Sequence, residues 1–241
     1  MYDSLKGKTV ILSGASRGIG RSIAVALGAQ GMRLALLARS KDQLLEVSRL
    51  IEKAGGEGIV LDCDVGKKVS IETAVERIYQ RFGVINVLIN NAGVFIEKSI
   101  AETTLEEWDH VLRVNLTAAF LFCRNVIAAM KKQGGGKIIN IASTASTQGY
   151  LNQGAYCASK HGLLGLGRCM AIEGKAHNIH VYTICPGGVR TDLIKGTQLE
   201  SRIEGKPMIE SENIANLVVF LLKQPENIDI PEVIVRRFAL E

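Results

Sequence analysis

Three side chains in the middle of the chain have types and spacing that suit proton transfer. Tyr156 and Lys160 are four residues apart, so on a helix they lie on one face, about a turn from each other. A phenol has a pKa near ~10, and a neighbouring ammonium group favours phenolate and lowers that pKa toward neutrality. Ser143 precedes them and offers a hydroxyl that can hold a carbonyl oxygen. The pattern indicates acid–base chemistry at a carbonyl, although a Tyr–Lys pair at this spacing also arises by chance.

The composition of the 241-residue chain suits one large α/β domain. Hydrophobic residues make up 47% of the chain and charged residues 22%, which provides a core and excludes global disorder. The net charge of +5 favours anionic ligands. Lysine and arginine are scattered in short pairs such as Lys131-Lys132, without the basic stripe of a nucleic-acid binder. We therefore expect no nucleic-acid partner.

The cysteine pattern and the lack of long apolar runs bear on location. The five cysteines are odd in number and have no Cys-x-x-Cys spacing, so we expect neither a disulfide framework nor a metal site. A reducing cytoplasm is the simplest setting for them. The sequence shows no apolar leader, and no uninterrupted apolar run approaches the ~18 residues of a membrane span. We expect a cytoplasmic protein that does not enter a membrane.

Strand and helix patterns alternate along the chain at the spacing of parallel βαβ units. The predicted strands cover residues 9–13, 33–38, 58–61, 86–89, 137–141, 180–184 and 233–237, and the predicted helices run through residue 30, over 41–53, 67–82 and 105–132, and from Tyr156 to about residue 177. This order predicts a Rossmann-type, doubly wound parallel α/β sheet with helices on both faces, as one dinucleotide-binding and catalytic domain over residues 1–241. Segment 193–209 is interpreted as a mobile lid over the substrate, with a plain surface loop as the alternative.

Glycine and polar residues follow nearly every predicted strand, at the edge where parallel sheets bind ligands. The first of these turns contains Gly14, Gly18 and Gly20 between a buried strand and a helix. Backbone N–H groups and the helix dipole at such a turn can hold a pyrophosphate. So many polar strand ends are unusual for a purely structural protein, and they predict a ligand at this edge.

Together these motifs resemble the short-chain dehydrogenase/reductase family, in particular NADP-dependent members such as oxoacyl-carrier reductases and small-ketone reductases. The resemblance covers about residues 8–192. The family's T-G-x-x-x-G-x-G is similar to Ser13–Gly20, with serine for threonine, and its N-N-A-G and Y-x-x-x-K are similar to Asn90–Gly93 and Tyr156–Lys160. Its catalytic serine and asparagine fall on Ser143 and Asn115, and its P-G-x-x-x-T on Pro186–Thr191. The chain departs from the family after residue 228, where many members have a V-D-G-G-like strand.

The resemblance implies a role for each matching residue. Tyr156 is expected to pass a proton to the carbonyl oxygen, Ser143 to hydrogen-bond that oxygen, and Lys160 to hold the nicotinamide ribose and lower the pKa of Tyr156. Asn115 is expected to hold a water that links Lys160 to solvent, with a buried amide satisfied by the backbone as the alternative. The expected cofactor-binding residues, besides Tyr156 and Lys160, are Gly14, Ser16, Arg17, Gly18, Ile19, Gly20, Arg39, Ser40, Asp64, Val65, Asn91, Ala92, Gly93, Pro186, Gly187, Val189 and Thr191. Among these, Asp64 and Val65 are assigned to the adenine, and Val189 and Thr191 to the nicotinamide carboxamide.

NADP(H) is the predicted cofactor. Enzymes that prefer NAD usually end the second strand with an acid that binds the ribose 2′-OH, whereas a 2′-phosphate needs positive charge. Here Ala38 occupies that place and Arg39 follows it, while Arg17 lies in the glycine turn. We predict that Arg17 and Arg39 clamp the 2′-phosphate with support from Ser40.

The predicted function is hydride transfer between NADP(H) and a ketone or alcohol. The sequence leaves the substrate open among a 3-oxoacyl thioester, a steroid or polyol, and a small hydroxy acid. A non-catalytic NADP(H)-binding sensor or scaffold is the alternative, but such proteins typically lose the tyrosine or the lysine, and both are present here. The apolar stretches 118–123 and 163–170 predict a homo-oligomer, a dimer or tetramer, because a helix that is apolar all round needs cover on more than one side.

Overall fold

Seven parallel strands and eight α-helices make up the part of the chain, residues 4–203 and 205–238, that a computed structural model describes. The strands are β1 (Thr9–Ser13), β2 (Arg33–Ala38), β3 (Glu57–Asp62), β4 (Val87–Asn90), β5 (Gly136–Ile141), β6 (Ile179–Pro186) and β7 (Glu232–Val235). The helices are α1 (Gly18–Gly28), α2 (Lys41–Lys53), α3 (Lys68–Phe82), α4 (Leu105–Leu112), α5 (Ala118–Lys132), α6 (Gly154–Gly174), α7 (Gln198–Ile203) and α8 (Ser211–Leu222). The sheet order is β3-β2-β1-β4-β5-β6-β7, which confirms the predicted fold class. Residues 1–3, 204 and 239–241 of the predicted domain lie outside the described part.

The strands are apolar on both sides because helices cover both faces of the sheet. Along β1, Val10 and Leu12 belong to the core shared with α1, α2 and α8, while Ile11 between them belongs to the core shared with α3 and α5. All three side chains are completely buried. Since every strand runs in the same direction, the seven carboxyl ends meet at one edge, and the polar residues that follow them come together there.

The predicted helix 105–132 is not regular along its whole length. A π-helical turn over Arg113–Thr117 joins α4 to α5. The buried side chain of Asn115 lies in this turn and is bound by Val94 and Ser159 of other segments. Turns of this kind often mark functional positions in helices. Sequence periodicity alone does not reveal such a one-residue irregularity.

The end of the chain also differs from the predicted elements. The predicted strand 233–237 ends at Val235, so Arg236 and Arg237 leave the sheet at its carboxyl edge. Helix α8 has no counterpart in the sequence analysis. Ile214, Val218 and Leu221 recur at helical spacing and are completely buried, and this periodicity was the available signal.

The stretch Leu105–Lys132 is long and apolar enough, by length and composition alone, to cross a membrane. Of the most apolar 18 residues in this stretch, 44% are buried inside the protein. Helix α5 packs against α3, β4 and β5. The core helix of a doubly wound domain meets the same criteria. Packing within the domain therefore accounts for the buried part of this stretch.

Helix α6 lies close to β6 because glycines stand where the two elements approach. A β-carbon built on Gly174 lies 2.4 Å from the carbonyl oxygen of Ile179, and one built on Gly167 lies 2.5 Å from Thr183 Oγ1. A β-carbon built on Gly165, also in α6, has no atom within 4 Å. The small residues thus hold the helix that carries Tyr156 and Lys160 against the sheet.

These contacts predict opposite effects for two alanine substitutions in one helix. Gly174→Ala forces a methyl group against backbone and is expected to lower the free energy of unfolding by about 1–3 kcal/mol. Gly165→Ala has room and removes a flexible residue, so it is expected to be neutral or stabilising by up to ~1 kcal/mol. Urea unfolding of both variants measures the difference. Equal effects of the two substitutions contradict the packing described for α6.

Candidate active site

A cavity of about 770 Å³ opens at the carboxyl edge of the sheet. Its size is typical of small-molecule sites. The predicted residues that line it are Gly14, Ser16, Arg17, Gly18, Ile19, Gly20, Arg39, Ser40, Asp64, Val65, Asn91, Ala92, Gly93, Ser143, Tyr156, Lys160, Pro186, Gly187, Val189 and Thr191. Asn115 is the one predicted site residue that does not line it. The loops after β1, β2, β3, β4, β5 and β6 therefore contribute to one site.

The loops that follow β1 and β4 are tied together by Ser13 and Asn91. Ser13 Oγ accepts hydrogen bonds from the backbone N–H groups of Asn91 (3.0 Å) and Ala92 (3.1 Å). The Asn91 amide donates to the carbonyl oxygens of Ser13 (3.1 Å) and Gly14 (3.0 Å). A serine hydroxyl is sufficient for these bonds, which explains why serine can replace the threonine of the family motif.

The glycine turn leaves its backbone open to the cavity. Gly14 and Gly18 have φ values of 65° and 52°, in the left-handed region that favours glycine. A β-carbon on Gly20 would lie 2.1 Å from the carbonyl oxygen of Gly14, so no larger residue fits there. A β-carbon on Gly18 would lie 3.2 Å from Thr191 Cγ2, which brings the loop after β6 against this turn. The open backbone at the start of α1 fits a bound pyrophosphate.

Two arginines flank the glycine turn at the β2 end of the cavity. Arg17 directly precedes α1, and Arg39 follows β2; both side chains are exposed and line the cavity. Within residues 4–203 and 205–238, neither has an acidic partner among the salt bridges. Ser40 lies beside them, before the first turn of α2. The arrangement fits an added phosphate on the ribose.

Tyr156, Lys160 and Ser143 meet at the β5 side of the cavity. Tyr156 is 8% exposed, and its ring packs edge-on against Phe95 with the centroids 5.1 Å apart. Ser143 lies beside the phenol of Tyr156, and its Oγ accepts a hydrogen bond from the Ala145 N–H at 3.1 Å. The Lys160 ammonium donates to the carbonyl oxygen of Ile141 at 2.9 Å and lies 5.7 Å from the centre of the Tyr156 ring. These groups can hold a carbonyl and exchange a proton with it.

Burial controls the protonation of both titrating groups. It raises the pKa of the Tyr156 phenol to about 12, and the hydrogen bond from Ser143 opposes this only in part. It lowers the pKa of the Lys160 ammonium to about 8. The sequence analysis expected Lys160 to lower the pKa of Tyr156, but within the protein alone desolvation raises that pKa, and Lys160 is not among the groups that shift it. The phenol is therefore held in its protonated form, ready to donate.

Asn115 supports the site from behind its wall. Its Oδ1 accepts from the Val94 N–H at 2.8 Å, and its Nδ2 donates to the Val94 carbonyl at 3.0 Å and to Ser159 Oγ at 3.0 Å. These three bonds join the loop after β4 to α6, and they leave one lone pair of Oδ1 unused. The geometry agrees with the alternative of an amide satisfied by its surroundings, and that Asn115 holds a water stays a prediction.

Several lining residues were missed by the sequence analysis. They include Phe95, His110, Tyr150, Gln153, Arg236 and Arg237. Phe95 and Gln153 flank motifs that were recognised, at two residues after Gly93 and three before Tyr156. The two arginines are the last two residues of the predicted strand 233–237, and their place at the carboxyl end of a strand was the signal for them.

The described ranges contain no metal site and no disulfide. In residues 4–203 and 205–238, no group of three or more His, Cys, Asp or Glu side chains is arranged to hold a metal ion. The five cysteines all have free thiols, and only Cys169 is exposed. That the protein needs no metal stays a prediction.

The fold and the site define a dinucleotide-binding α/β protein with a Ser–Tyr–Lys cluster beside the glycine turn. A family model described as short chain dehydrogenase matches residues 8–201. The chain belongs to this family and is an oxidoreductase.

Similar proteins are found among both curated sequences and solved structures. The 3-oxoacyl-[acyl-carrier-protein] reductase FabG of Escherichia coli (strain K12) is 33% identical over 224 residues, which cover 90% of this chain and 91% of that protein. A metagenomic short-chain oxidoreductase crystallised in complex with NADP is 35% identical, with a TM-score of 0.87 over 99% of this chain and 100% of that one. An alcohol dehydrogenase from the archaeon Thermococcus sibiricus, complexed with 5-hydroxy-NADP, is 30% identical, with a TM-score of 0.87 over 95% and 96% of the two chains.

The burial of Lys160 predicts a stability effect that depends on pH. Its pKa in the folded protein, about 8, is below the value of 10.5 for an exposed lysine. Below pH 8 the buried charge therefore lowers the free energy of unfolding by its full amount, and this penalty decreases as the pH rises from 8 to 10.5. Lys160→Met is therefore expected to raise the free energy of unfolding by roughly 1–2 kcal/mol at pH 7, after allowing for the lost hydrogen bond to Ile141.

Urea unfolding of the protein without added cofactor at pH 7 and pH 9.5 measures this effect. The advantage of Lys160→Met over the wild type is expected to shrink at the higher pH. Lys53→Met, at an exposed lysine, is the control and should change stability little at either pH. A Lys160→Met protein that is less stable than the wild type at both pH values contradicts the effect of burial.

Proposed function

We propose that the protein is an NADP(H)-dependent carbonyl reductase, reversible as an alcohol dehydrogenase, with Tyr156 as its acid–base residue. The observation that carries the proposal is the single cavity that Ser143, Tyr156 and Lys160 share with the glycine turn and with Arg17. When bound, NADPH supplies the hydride. The protein's own groups then have to orient the carbonyl, exclude water and deliver one proton.

The site residues divide these tasks. Ser143 hydrogen-bonds the substrate oxygen, and its hydroxyl is already oriented by the Ala145 N–H. Tyr156, protonated at neutral pH because of its burial, donates the proton to the same oxygen as it becomes an alkoxide. Lys160 has two N–H donors beyond the one that Ile141 accepts, and they are available to the ribose hydroxyls of the cofactor. Water is restricted because Tyr156 and Lys160 are both buried.

The cofactor assignment rests on the glycine turn and the two arginines. The turn from Gly14 to Gly20 receives the pyrophosphate, and Arg17 and Arg39, with Ser40, receive the 2′-phosphate. Two similar proteins, the metagenomic oxidoreductase and the Thermococcus sibiricus enzyme, were crystallised with NADP or 5-hydroxy-NADP. The remaining cofactor contacts are assigned by their loops: Asp64 and Val65 to the adenine, Asn91, Ala92 and Gly93 to the centre of the cofactor, and Pro186, Gly187, Val189 and Thr191 to the nicotinamide.

In this proposal the segment 193–209 is the lid over the substrate end of the cavity. Leu193, Leu199 and Met208 of this segment line the cavity. The segment is tied to the loop after β4 by Glu97, whose side chain is 5% exposed, accepts from the Leu199 N–H at 2.8 Å and pairs with Arg202. These contacts support its role as a lid. A 3-oxoacyl thioester, the substrate in the name of the similar FabG protein, is one candidate for the space beneath it.

Oligomeric state and location remain predictions of the sequence. Much of the apolar surface of 118–123 is covered by the chain itself, since Ala118, Ala119 and Phe122 are buried, whereas Phe120 is 45% exposed. The exposed Phe120 supports a dimer or tetramer, which light scattering measures directly. The free thiols of the cysteines support a cytoplasmic location.

The arginine clamp predicts how cofactor preference changes. Ala38→Asp combined with Arg39→Ser adds an acceptor for a ribose hydroxyl and removes a phosphate ligand, so the ratio of NADPH to NADH affinity is expected to fall by at least about tenfold. Fluorescence titration with each nucleotide gives the ratio. Arg21→Ser is the control, because Arg21 is a cation of α1 outside the cavity wall. An unchanged preference in the double variant refutes the clamp.

The reductase proposal itself is tested by turnover. NADPH oxidation is followed with an acetoacetyl thioester, a diketone, an aldehyde and small keto acids, beside Tyr156→Phe. At least one substrate is expected to turn over. The turnover rate of the variant is expected to be about 10²–10⁴-fold lower, while NADPH still binds, because the variant lacks only the proton donor. NADPH binding without turnover on any substrate favours the non-catalytic sensor instead.

A further inference from the structure

A second pair of arginines lines the cavity at the opposite end from Arg17 and Arg39. Arg236 and Arg237 follow β7 directly, at the same carboxyl edge as the other site loops. The backbone there is fixed by the parallel pairing of β7 with β6 and by a 2.8 Å hydrogen bond from the Gly187 N–H to the Val235 carbonyl. The pair is therefore held at the cavity by the sheet.

The distance across the sheet separates the two arginine pairs. In the strand order, β2 and β7 are five strand spacings apart, which is about 24 Å at ~4.8 Å for each spacing. Arg236 and Arg237 consequently lie far from the loop after β2 that receives a ribose 2′-phosphate. Their charge is therefore too distant to bind that phosphate.

The second pair lies beside the residues that handle the substrate carbonyl. A β-carbon built on Gly187 would be 3.8 Å from the Arg236 Cα and 3.8 Å from Thr144 Cγ2, and Thr144 is the neighbour of Ser143. A β-carbon built on Gly188 would be 3.7 Å from Arg237 Nε. The positive charges thus lie on the substrate side of the site.

The guanidinium groups keep donors for a ligand. Arg237 is half-buried and reaches only neutral acceptors, the Pro207 carbonyl at 3.5 Å and Met208 Sδ at 3.9 Å, both at the end of the proposed lid. Among the described residues, neither arginine forms a salt bridge, although Asp192 lines the same cavity. A guanidinium carries five N–H donors in a rigid fork, so most of those on Arg237 remain available.

A buried amide supplies an independent indication of a polar ligand. Gln153 is 7% exposed, lines the cavity and lies one helical turn before Tyr156. No hydrogen bond of its side-chain amide to another described residue is found. The amide of this largely buried residue is not one of the fully enclosed unpaired polar atoms, so it opens to the cavity, where it is suited to a polar group of the substrate near the reacting carbonyl.

From these features we propose that the substrate carries an oxyanion, a carboxylate or a phosphate, which Arg237 and Arg236 bind while Gln153 binds a polar group closer to the carbonyl. The inference rests on the proposed reductase function and narrows its substrate class. Neutral steroids and polyols are then poor substrates, and keto acids or phosphate-bearing thioesters are good ones. The arginines act as specificity-determining residues and take no part in the proton transfer.

The test compares charged and neutral probes of the same shape. Affinities of acetoacetate, 4-oxopentanoate and 5-oxohexanoate and of their methyl esters are measured by calorimetry on protein saturated with NADP⁺, in which no turnover occurs. A second arm compares acetoacetyl-coenzyme A with the neutral acetoacetyl-N-acetylcysteamine. In at least one matched pair the anion is expected to bind about 10- to 100-fold more tightly. The arm that shows the preference identifies carboxylate or phosphate as the source of the charge.

Variants assign the preference to the arginines. In Arg236→Gln/Arg237→Gln the ratio of anion to neutral affinity is expected to fall close to one, and Arg237→Lys is expected to retain part of it as a point charge. Arg49→Gln, the same charge change on the exposed face of α2, should keep the wild-type ratio and controls for long-range electrostatics. Thermal unfolding verifies that each variant is folded.

Two results overturn the inference. One is a ratio of anion to neutral affinity near one in the wild type for every matched pair. The other is a double variant whose ratio equals that of the wild type. Turnover of the neutral esters and the neutral thioester with NADPH is measured in parallel on the wild type. Neutral ketones that turn over without any preference for anions leave the reductase function intact and remove only the anion site. Anion preference without turnover of any probe supports the site and counts against the reductase.

Discussion

The common direction of the seven strands is the constraint on which the site depends. All strands are parallel, so the loops that follow them emerge at one edge. These loops contain the glycine turn, Asn91, Ser143 and Pro186-Gly187. The bonds between Ser13 and Asn91 then fix the two loops at the point where the strand order reverses, between β1 and β4. Ligands of open α/β sheets bind at this point. The position of the cavity follows from strand direction, and its details follow from the loops.

Burial gives the site its chemical character. Tyr156 and Lys160 lie one turn apart on α6, and glycines in that helix let it approach the sheet closely. The low polarity that results keeps the phenol protonated and makes the charge of the ammonium costly. The ammonium keeps a hydrogen bond to the Ile141 carbonyl. A site of this kind gains its reactivity at the expense of stability. A bound cofactor adds positive charge when it is oxidised, and that charge shifts the phenol toward phenolate.

The sequence predicted most of the fold and the cofactor side of the site. Alternating apolar runs determine which strands are buried on both faces, and short motifs at strand ends identify Gly14, Asn91 and Tyr156 as cavity residues. The π-helical turn at Asn115 was not predictable, because it depends on hydrogen bonds to Val94 and Ser159 that are distant in sequence. The direction of the Tyr156 pKa shift also escaped prediction, since spacing shows the nearby lysine but not the depth of burial.

The substrate side was the least predictable part. Arg236 and Arg237 are an ordinary basic pair in the sequence, and only the pairing of β7 with β6 places them at the cavity. Gln153 is likewise one of several polar residues before α6 in the sequence, and only its burial in the fold distinguishes it from the others. In both cases tertiary contacts place at the cavity a residue that lies outside the family's motifs. The motifs predict the chemistry, and the proposed role of these other residues is to select what it acts on.

The central claim is that Tyr156 is a proton donor whose pKa is set by burial and by the charge of the bound cofactor. It is tested most directly by measuring phenolate absorbance from neutral pH to about pH 10, as the difference between wild type and Tyr156→Phe, with and without NADP⁺. The account predicts no phenolate difference without NADP⁺ over this range, and a phenolate signal that develops within it when NADP⁺ is bound. A difference spectrum that NADP⁺ leaves unchanged contradicts the account.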